Sequence, residues 1–333
     1  MDYSVAVEDA VRRFYSAGAN DAHTWLLQFQ ASREAWTCIW PLLDPSKSWE
    51  VQFFAATTLH AKIAKQWAEI PASDYNDLRN RILNIMKNPA TSKLILSQLC
   101  QALAAFLANS DGGEEKNENE SMIDDLIKIF PYTSKDTLDL LLRVLNAIPG
   151  EFERRFGLKR PKLRENLIAS WYKASWLLQQ ILSNYEARVS EGGEDTVYLL
   201  AMECCLSWLK LRNLPIDTLG QLYQHFILAA SHYVPTTEDA IEDVRGWELA
   251  QECLDACFTH PDLAKRPQLL WEWCRGLVTV ADQKGGSHFA ELLTDFGDTH
   301  ERLLLLALIE ESNNHWAAAT LIKLLLECSE HPG

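Results

Sequence analysis

Apolar residues recur along this chain in steps of three and four, and the stripes they make recur at a near-constant interval. Val51, Phe54, Ala55, Leu59 and Ile63 form one stripe, and Ile95, Leu99, Ala102, Leu103 and Phe106 a second. Leu138, Leu141, Leu142, Leu145 and Ile148 form a third, and Val197, Leu200, Ala201, Cys204, Trp208 and Leu211 a fourth. Such steps place each set on one face of a helix. Strand-like alternation is nearly absent. The first helix of each pair is expected to start near positions 48, 91, 134, 194, 239 and 286. A helix that is apolar along one stripe must bury it against a neighbour, so these helices have to stack.

Repeats of roughly 40–47 residues built from helix pairs are the HEAT and armadillo class. The spacing therefore predicts an all-α chain, a HEAT-repeat superhelix of about seven helical hairpins, each burying its apolar face against the next. The W-x2-L-G-x2-Y pattern of tetratricopeptide repeats is missing. With 14 Gly and 12 Pro among 333 residues, the chain lacks the turn density of a barrel or sandwich. Ser73-Asp74, Ser134, Asp195-Thr196 and Thr237 are expected N-caps, and Pro71, Pro89, Pro131, Pro149, Pro215 and Pro261 are expected in breaks. One interval is longer than the others, and an extended loop over Glu151 to Lys162 would account for it. Asp111 to Glu120 reads as an acidic loop between a first segment, 1–110, and a second, 121–333; Ser190 to Asp195 reads as an exposed turn. The last helix, near His315 to Cys328, carries Leu321, Leu324, Leu325 and Leu326 instead of a polar cap, which suggests further repeats beyond it.

The N-terminal residues carry no basic and apolar signal pattern, and no stretch approaches the ~18 apolar residues of a membrane span. An intracellular protein without membrane contact is expected. The eight Cys read mostly as buried thiols. A formal net charge of −15 argues against nucleic acid as a partner, because phosphates would be repelled. No catalytic motif survives: the Gly pairs lack the residues of a phosphate loop, and His300-Glu301 is followed by Leu304 where a zinc-binding helix needs His. Cys253, Cys257 and His260 could sit on one helical face as zinc ligands, but Pro261 and the missing fourth ligand favour buried thiols. Neither a metal nor a cofactor is expected. Arg154, Arg155, Lys159, Arg160, Lys162 and Arg164 read as a solvated basic cluster, with an acidic partner as the alternative. The paired Trp36 and Trp40, and Trp171 and Trp176, read as core, with an aromatic anchor as the alternative.

WLLQFQASREAW (Trp25 to Trp36), CIWPLL (Cys38 to Leu43), EVQFFAATTLHAKI (Glu50 to Ile63) and WAEIP (Trp67 to Pro71) resemble the importin-β N-terminal domain of the karyopherin-β nuclear transport receptors. LLLRVLNAIPGEF (Leu140 to Phe152) and FGDTHERLL (Phe296 to Leu304) extend that resemblance along the chain. It implies a non-enzymatic, monomeric receptor that binds RanGTP, carries protein cargo and touches FG nucleoporins while shuttling between nucleus and cytoplasm. A HEAT scaffold or adaptor without a transport role is the alternative. Ran would contact the inner helices of the repeats within 1–110 and just beyond. With the second helix of each pair taken as the inner one, these are Ser32 to Leu43, Asp74 to Lys87 and Ser121 to Phe130. The Ran-binding residues expected there are Arg33, Trp36, Thr37, Asn80, Arg81, Asn84, Lys87, Asp124, Asp125 and Lys128. Leu78, Ile82, Ile85 and Met86, with Ile123, Leu126, Ile127 and Phe130, are the expected core of the second and third.

Overall fold

The structure, a computed structural model, describes residues 3–110, 121–155, 161–190, 196–211, 214–235, 244–309 and 314–330. The described residues form α-helices, short 3-10 turns and connections, and no strand. The chain divides into two units, Met1–Leu163 and Arg164–Gly333. The first contains α1 (Tyr3–Ala17), α2 (Asn20–Ala31), α3 (Ala35–Leu42), α4 (Trp49–Lys65), α5 (Tyr75–Met86), α6 (Lys93–Ser110), α7 (Met122–Ile129) and α8 (Lys135–Arg155). Next comes α9 (Pro161–Ser190), then α10 (Thr196–Leu209), α11 (Leu219–Tyr233), α12 (Val244–Phe258), α13 (Pro267–Lys284), α14 (Ala290–Ile309) and α15 (His315–Glu330).

In the first unit α4, α6 and α8 pack side by side as one row. The expected starts near 48, 91 and 134 fall at Trp49, Lys93 and Lys135. All three stripes read from sequence lie inside, apart from the half-buried Phe54. Ala55 and Ala56 on α4, and Ala102, Ala104, Ala105 and Ala108 on α6, are buried; small side chains let helix axes approach closely. Asn109 donates to the Ile63 carbonyl at 2.9 Å and joins the ends of α6 and α4. The shorter α3 and α5 lie against this row, α3 on α4 and α5 on α6, and α7 touches both α6 and α8.

The pairing has a different phase from the one the spacing suggested. α5 pairs with α6, which follows it, and not with α4. The reason is local. Asn88 to Ser92 is a tight turn, in which Asn88 Oδ1 accepts from the Ala90 N–H at 3.0 Å and Thr91 Oγ1 donates to the Ile85 carbonyl at 2.7 Å. A turn this short forces antiparallel neighbours. Between α4 and α5 the chain instead makes two 3-10 turns, Trp67–Glu69 and Ala72–Asp74.

Pro149 is not in a break: it lies inside α8, which runs on to Arg155. Leu138, Leu141, Leu142, Leu145, Ile148 and Phe152 are all buried, and burial along this stripe outweighs the one helical hydrogen bond that Pro removes. The expected loop over Glu151 to Lys162 is therefore helical at both ends, with α8 through Arg155 and α9 from Pro161. The long interval is filled by α9, a helix of 30 residues. Ser134 does cap α8, accepting from the Thr137 N–H at 3.3 Å. Asp74 precedes α5 without a side-chain cap bond, and Thr196 is the first residue of α10. Thr237, Asp195 and the acidic stretch Asp111 to Glu120 lie outside the described residues.

In the second unit α10, α12 and α14 form one row and α11, α13 and α15 the other. α9 buries Leu167, Trp171, Leu177, Leu178 and Leu182. Trp171 donates to Thr218 Oγ1 at 2.6 Å and lies 5.7 Å from Trp208; its sequence companion Trp176 is exposed. α14 bends at His300 (φ −120°, ψ 17°), where Nε2 donates to the Phe258 carbonyl at 3.0 Å. α11 and α12 approach closely at Gly246, where an added Cβ would lie 2.5–2.8 Å from the Tyr233 ring.

Gly246→Ala is expected to destabilise the protein by about 1–3 kcal/mol, because the rigid ring base cannot yield without shifting a helix; chemical denaturation measures this. His225 and His300 are both buried, and burial holds each imidazole below its ordinary value of 6.5; at His225 the nearby Glu186 opposes but does not cancel this. The unfolded chain then binds more protons than the folded one as the pH falls, so this contribution is full above about 6.5 and is lost as the pH drops through the lower folded values. The Tm is expected to fall between about pH 7 and pH 5, and a flat profile would contradict this assignment.

Candidate functional site

The polar ends of α2 explain how α3 is held. Its last carbonyls have no partner within the helix. Thr58 and Lys62 on α4 and Gln66 just past its end, each four residues from the last, meet this end. Gln30 donates to Thr58 Oγ1 at 3.2 Å, Lys62 Nζ to the Ser32 carbonyl at 2.6 Å, and Gln66 Nε2 to the Ala31 carbonyl at 3.2 Å. Lys62 is 1% exposed, and a cation at a helix C-terminus complements the helix dipole. The same ammonium lies 3.3 Å from Glu69 Oε2 and 5.1 Å from the Trp36 ring centroid. Trp36 Nε1 donates to Glu69 Oε2 at 2.9 Å. The indole hydrogen bond, with the Lys62 contact behind it, holds the Glu69 carboxyl below the usual carboxylate range. Trp36 is thus half-buried and fixed from two sides.

From α3 the contacts continue across the short helices. The Arg81 guanidinium sits 5.3 Å from the Trp40 ring centroid and pairs with Asp77 at 2.8 Å. Lys87 Nζ lies 5.9 Å from the Phe130 ring centroid. These cation–π contacts carry α3, α5 and the end of α7 into one surface. Arg33, Thr37, Asn80, Arg81, Asn84, Lys87 and Lys128 are exposed on it, and Trp36, Asp124 and Asp125 are half-buried. Leu78, Ile82, Met86, Ile123, Leu126 and Phe130 are core, whereas Ile85 and Ile127 are half-buried. The structure therefore brings together all three helices on which contact residues were expected.

Two of those residues have structural work. Ser121 and Asp124 close a capping box on α7, with the Ser121 N–H donating to Asp124 Oδ2 at 2.8 Å. Asp125 lies 3.8 Å from Lys128. Sequence reasoning missed Lys62, Glu69 and Trp40. The available signal was the four-residue spacing of Thr58, Lys62 and Gln66, a polar line beside the apolar stripe of α4.

Elsewhere, a cavity of about 620 Å³ opens between α1 and the start of α4, lined by Glu8, Arg12, Tyr15, Lys47 and Glu50 among others. Its charges balance, and Lys47 is 2.7 Å from Glu8. Cys253 and Cys257 are fully buried, and burial pushes both thiols up, away from the thiolate a metal requires. His260 lies beyond the end of α12. Its Nε2 donates to the Leu214 carbonyl at 3.0 Å, and its Nδ1 accepts from the Asp262 N–H at 3.2 Å. Among the described residues no three His, Cys, Asp or Glu converge on a metal-sized site, and no helix is long and apolar enough to cross a membrane. Arg154, read as part of a basic surface cluster, points instead at its own helix: it pairs with Glu151 and donates to the Gly150 carbonyl.

Residues 22–87, which span α2 to α5, match the importin-beta N-terminal domain. The whole chain aligns with importin-13 of Bos taurus, 26% identical over 352 residues, which is 34% of that protein. Importin-13 of Rattus norvegicus is 27% identical over 353 residues, again all of this chain and 34% of the relative. The chain thus spans about a third of the length of the curated relatives it matches. A solved structure described as Kap121p bound to RanGTP superposes with a TM-score of 0.51 at 13% identity, covering 97% of this chain and 36% of that one. The fold is accordingly all-α and of the HEAT-repeat superhelix class.

Asp124→Ala is expected to lower stability by about 1 kcal/mol through loss of the α7 cap, while Asn84→Ala on the exposed face of α5 should stay within about 0.5 kcal/mol. Thermal denaturation of the two variants side by side separates structural from purely surface positions.

Proposed function

We propose that this chain, a member of the karyopherin-β family, works in a nuclear transport receptor and binds RanGTP through its first unit. The observation that carries this reading is the match of residues 22–87 to the importin-beta N-terminal domain within an alignment to importin-13 over the full chain. The superposable Kap121p structure, described as bound to RanGTP, supports the choice of partner. In this reading the chain does no catalysis, since the nucleotide chemistry belongs to the GTPase. Its task is linkage: Ran and a protein cargo bind coupled surfaces, and each changes the other's affinity by the same factor. Contacts with FG nucleoporins and passage between nucleus and cytoplasm complete the proposal, for a receptor acting as a monomer.

The contact set we propose is the surface of α3, α5 and α7: Arg33, Trp36, Thr37, Asn80, Arg81, Asn84, Lys87, Asp124, Asp125 and Lys128. The cation-bearing tryptophans there suit an interface, where Trp and Arg dominate binding energy. Because α5 pairs with α6, the row of α4 and α8 is the competing surface, and one experiment compares the two.

GTP-locked and GDP-bound Ran are to be titrated against the chain, against Asn80→Ala/Asn84→Ala/Lys87→Glu, and against Lys65→Glu/Glu153→Lys on α4 and α8. Retention of the GTP form only, weakened at least tenfold by the α5 set at unchanged Tm, is the expected result; tenfold corresponds to about 1.4 kcal/mol. Equal or absent binding of both nucleotide states would overturn the transport reading in favour of a scaffold. Loss only with the α4 and α8 set would overturn the contact set and move the site to the other row.

A further inference from the structure

One polar cluster in the first unit has no part in the surface just described. His60 on α4 and Glu151 on α8 are 91 residues apart, yet His60 Nε2 lies 2.8 Å from Glu151 Oε1. Both are buried, His60 at 7% and Glu151 at 1% exposure. Arg154, one turn further along α8, donates to the same carboxylate oxygen. α4 and α8 each pack on α6 and share no extensive contact of their own. The pair therefore spans the helix between them. The buried alanines of α6, Ala102, Ala104, Ala105 and Ala108, leave room for side chains to meet across it. Glu151 reaches this position only because α8 continues through Pro149.

We infer that His60, Glu151 and Arg154 form a latch that fixes how closely the row of α4, α6 and α8 can close, and so sets the bend of this three-helix stack. The physical reason is that a buried carboxylate tolerates no half-made partnership. It is costly without donors, and it is stable only with donors at hydrogen-bond distance or after full exposure to water. A hydrogen bond weakens steeply beyond its normal length, so the row does not open gradually. It has a latched state and an opened state in which Glu151 and His60 are hydrated. Such a pair of discrete arrangements is what lets a local event in a packed array become a change of shape. Repeat arrays hold together by nearest-neighbour interfaces; this contact couples the first and third helices of a row and adds stiffness that nearest neighbours alone do not supply. The inference concerns packing within the unit and holds whichever partner the chain binds.

The test is a distance measurement across the row. Spin labels are placed at Lys65→Cys on α4 and Glu153→Cys on α8, both exposed, in the full chain. Cys38→Ser and Cys328→Ser remove the two thiols that are not buried. The distance distribution is recorded for the parent and for His60→Ala, His60→Gln and Ile82→Ala. His60→Ala is expected to broaden the distribution and shift it outward by about 1–2 Å, the size of helix shifts at packed interfaces. His60→Gln, whose amide can still donate to the carboxylate, should restore the parent distance. Ile82→Ala makes a cavity in α5, away from the latch, and should leave the distance unchanged. No shift in His60→Ala, or an equal shift in Ile82→Ala, would overturn the proposal. If His60→Ala does not fold, Arg154→Met replaces it, because that side chain is half exposed; a smaller outward shift is expected there, and none at all would overturn the proposal.

Discussion

Close packing of α4 on α6 and of α6 on α8 is the contact on which the rest of the first unit depends. α6 is buried almost all round along its second half, from Ala102 to Ala108. A helix with that profile has no freedom to rotate, because every face already has a neighbour. The apolar stripes of α4 and α8 then have one register in which to sit. Dispersion and the burial of Leu59, Ile63, Leu99, Leu103, Leu142 and Leu145 supply the stabilisation. The alanines contribute differently: they are small enough for the axes to come together.

Around this apolar row the polar groups are placed where the backbone would otherwise be left unsatisfied. The end of α2 shows the rule most plainly. Its terminal carbonyls meet Lys62 and Gln66, and Lys62, a charge removed from water, is compensated by a carbonyl, a carboxylate and a ring face. Trp36 and Glu69 are then fixed by the same ammonium. The surface of α3, α5 and α7 is in this sense a by-product of helix termination: satisfying α2 orients the indole that α3 presents. The second unit applies the same rule with imidazoles, and His300 meets the last carbonyl of α12 at the point where α14 bends.

This arrangement bears on the proposed binding of a partner. The helices that carry candidate contact residues are short and joined to the packed row by single faces. The row itself is stapled by polar contacts, the part-buried Asn109 to Ile63 and the buried His60 to Glu151. A partner seated on the short helices would meet a surface whose side chains are already partly ordered, which reduces the entropy lost on binding.

The sequence by itself determined the helical class, the repeat spacing, the buried stripes and the apolar partners of α5 and α7, because a period near 3.6 leaves a helix only one face to bury. It also carried the resemblance to the importin-β N-terminal domain, through the motifs between Trp25 and Pro71. Only the tertiary structure decided that Pro149 stays inside a helix, that Glu151 is core and not loop, and that α5 pairs with α6. In each case the local signal was correct for an isolated segment: Pro disfavours helix interiors, and a Glu beside two Arg reads as solvated. Burial against helices far away in sequence outweighed those preferences, and the partner that makes a buried Glu151 tolerable, His60, lies 91 positions earlier. The spacing of Lys62 with Thr58 and Gln66 marked a polar line, but the burial of its charge was beyond the sequence for the same reason. Its charge is tolerable inside only because the end of α2, a carboxylate and a tryptophan ring converge on it, and that convergence exists in three dimensions alone.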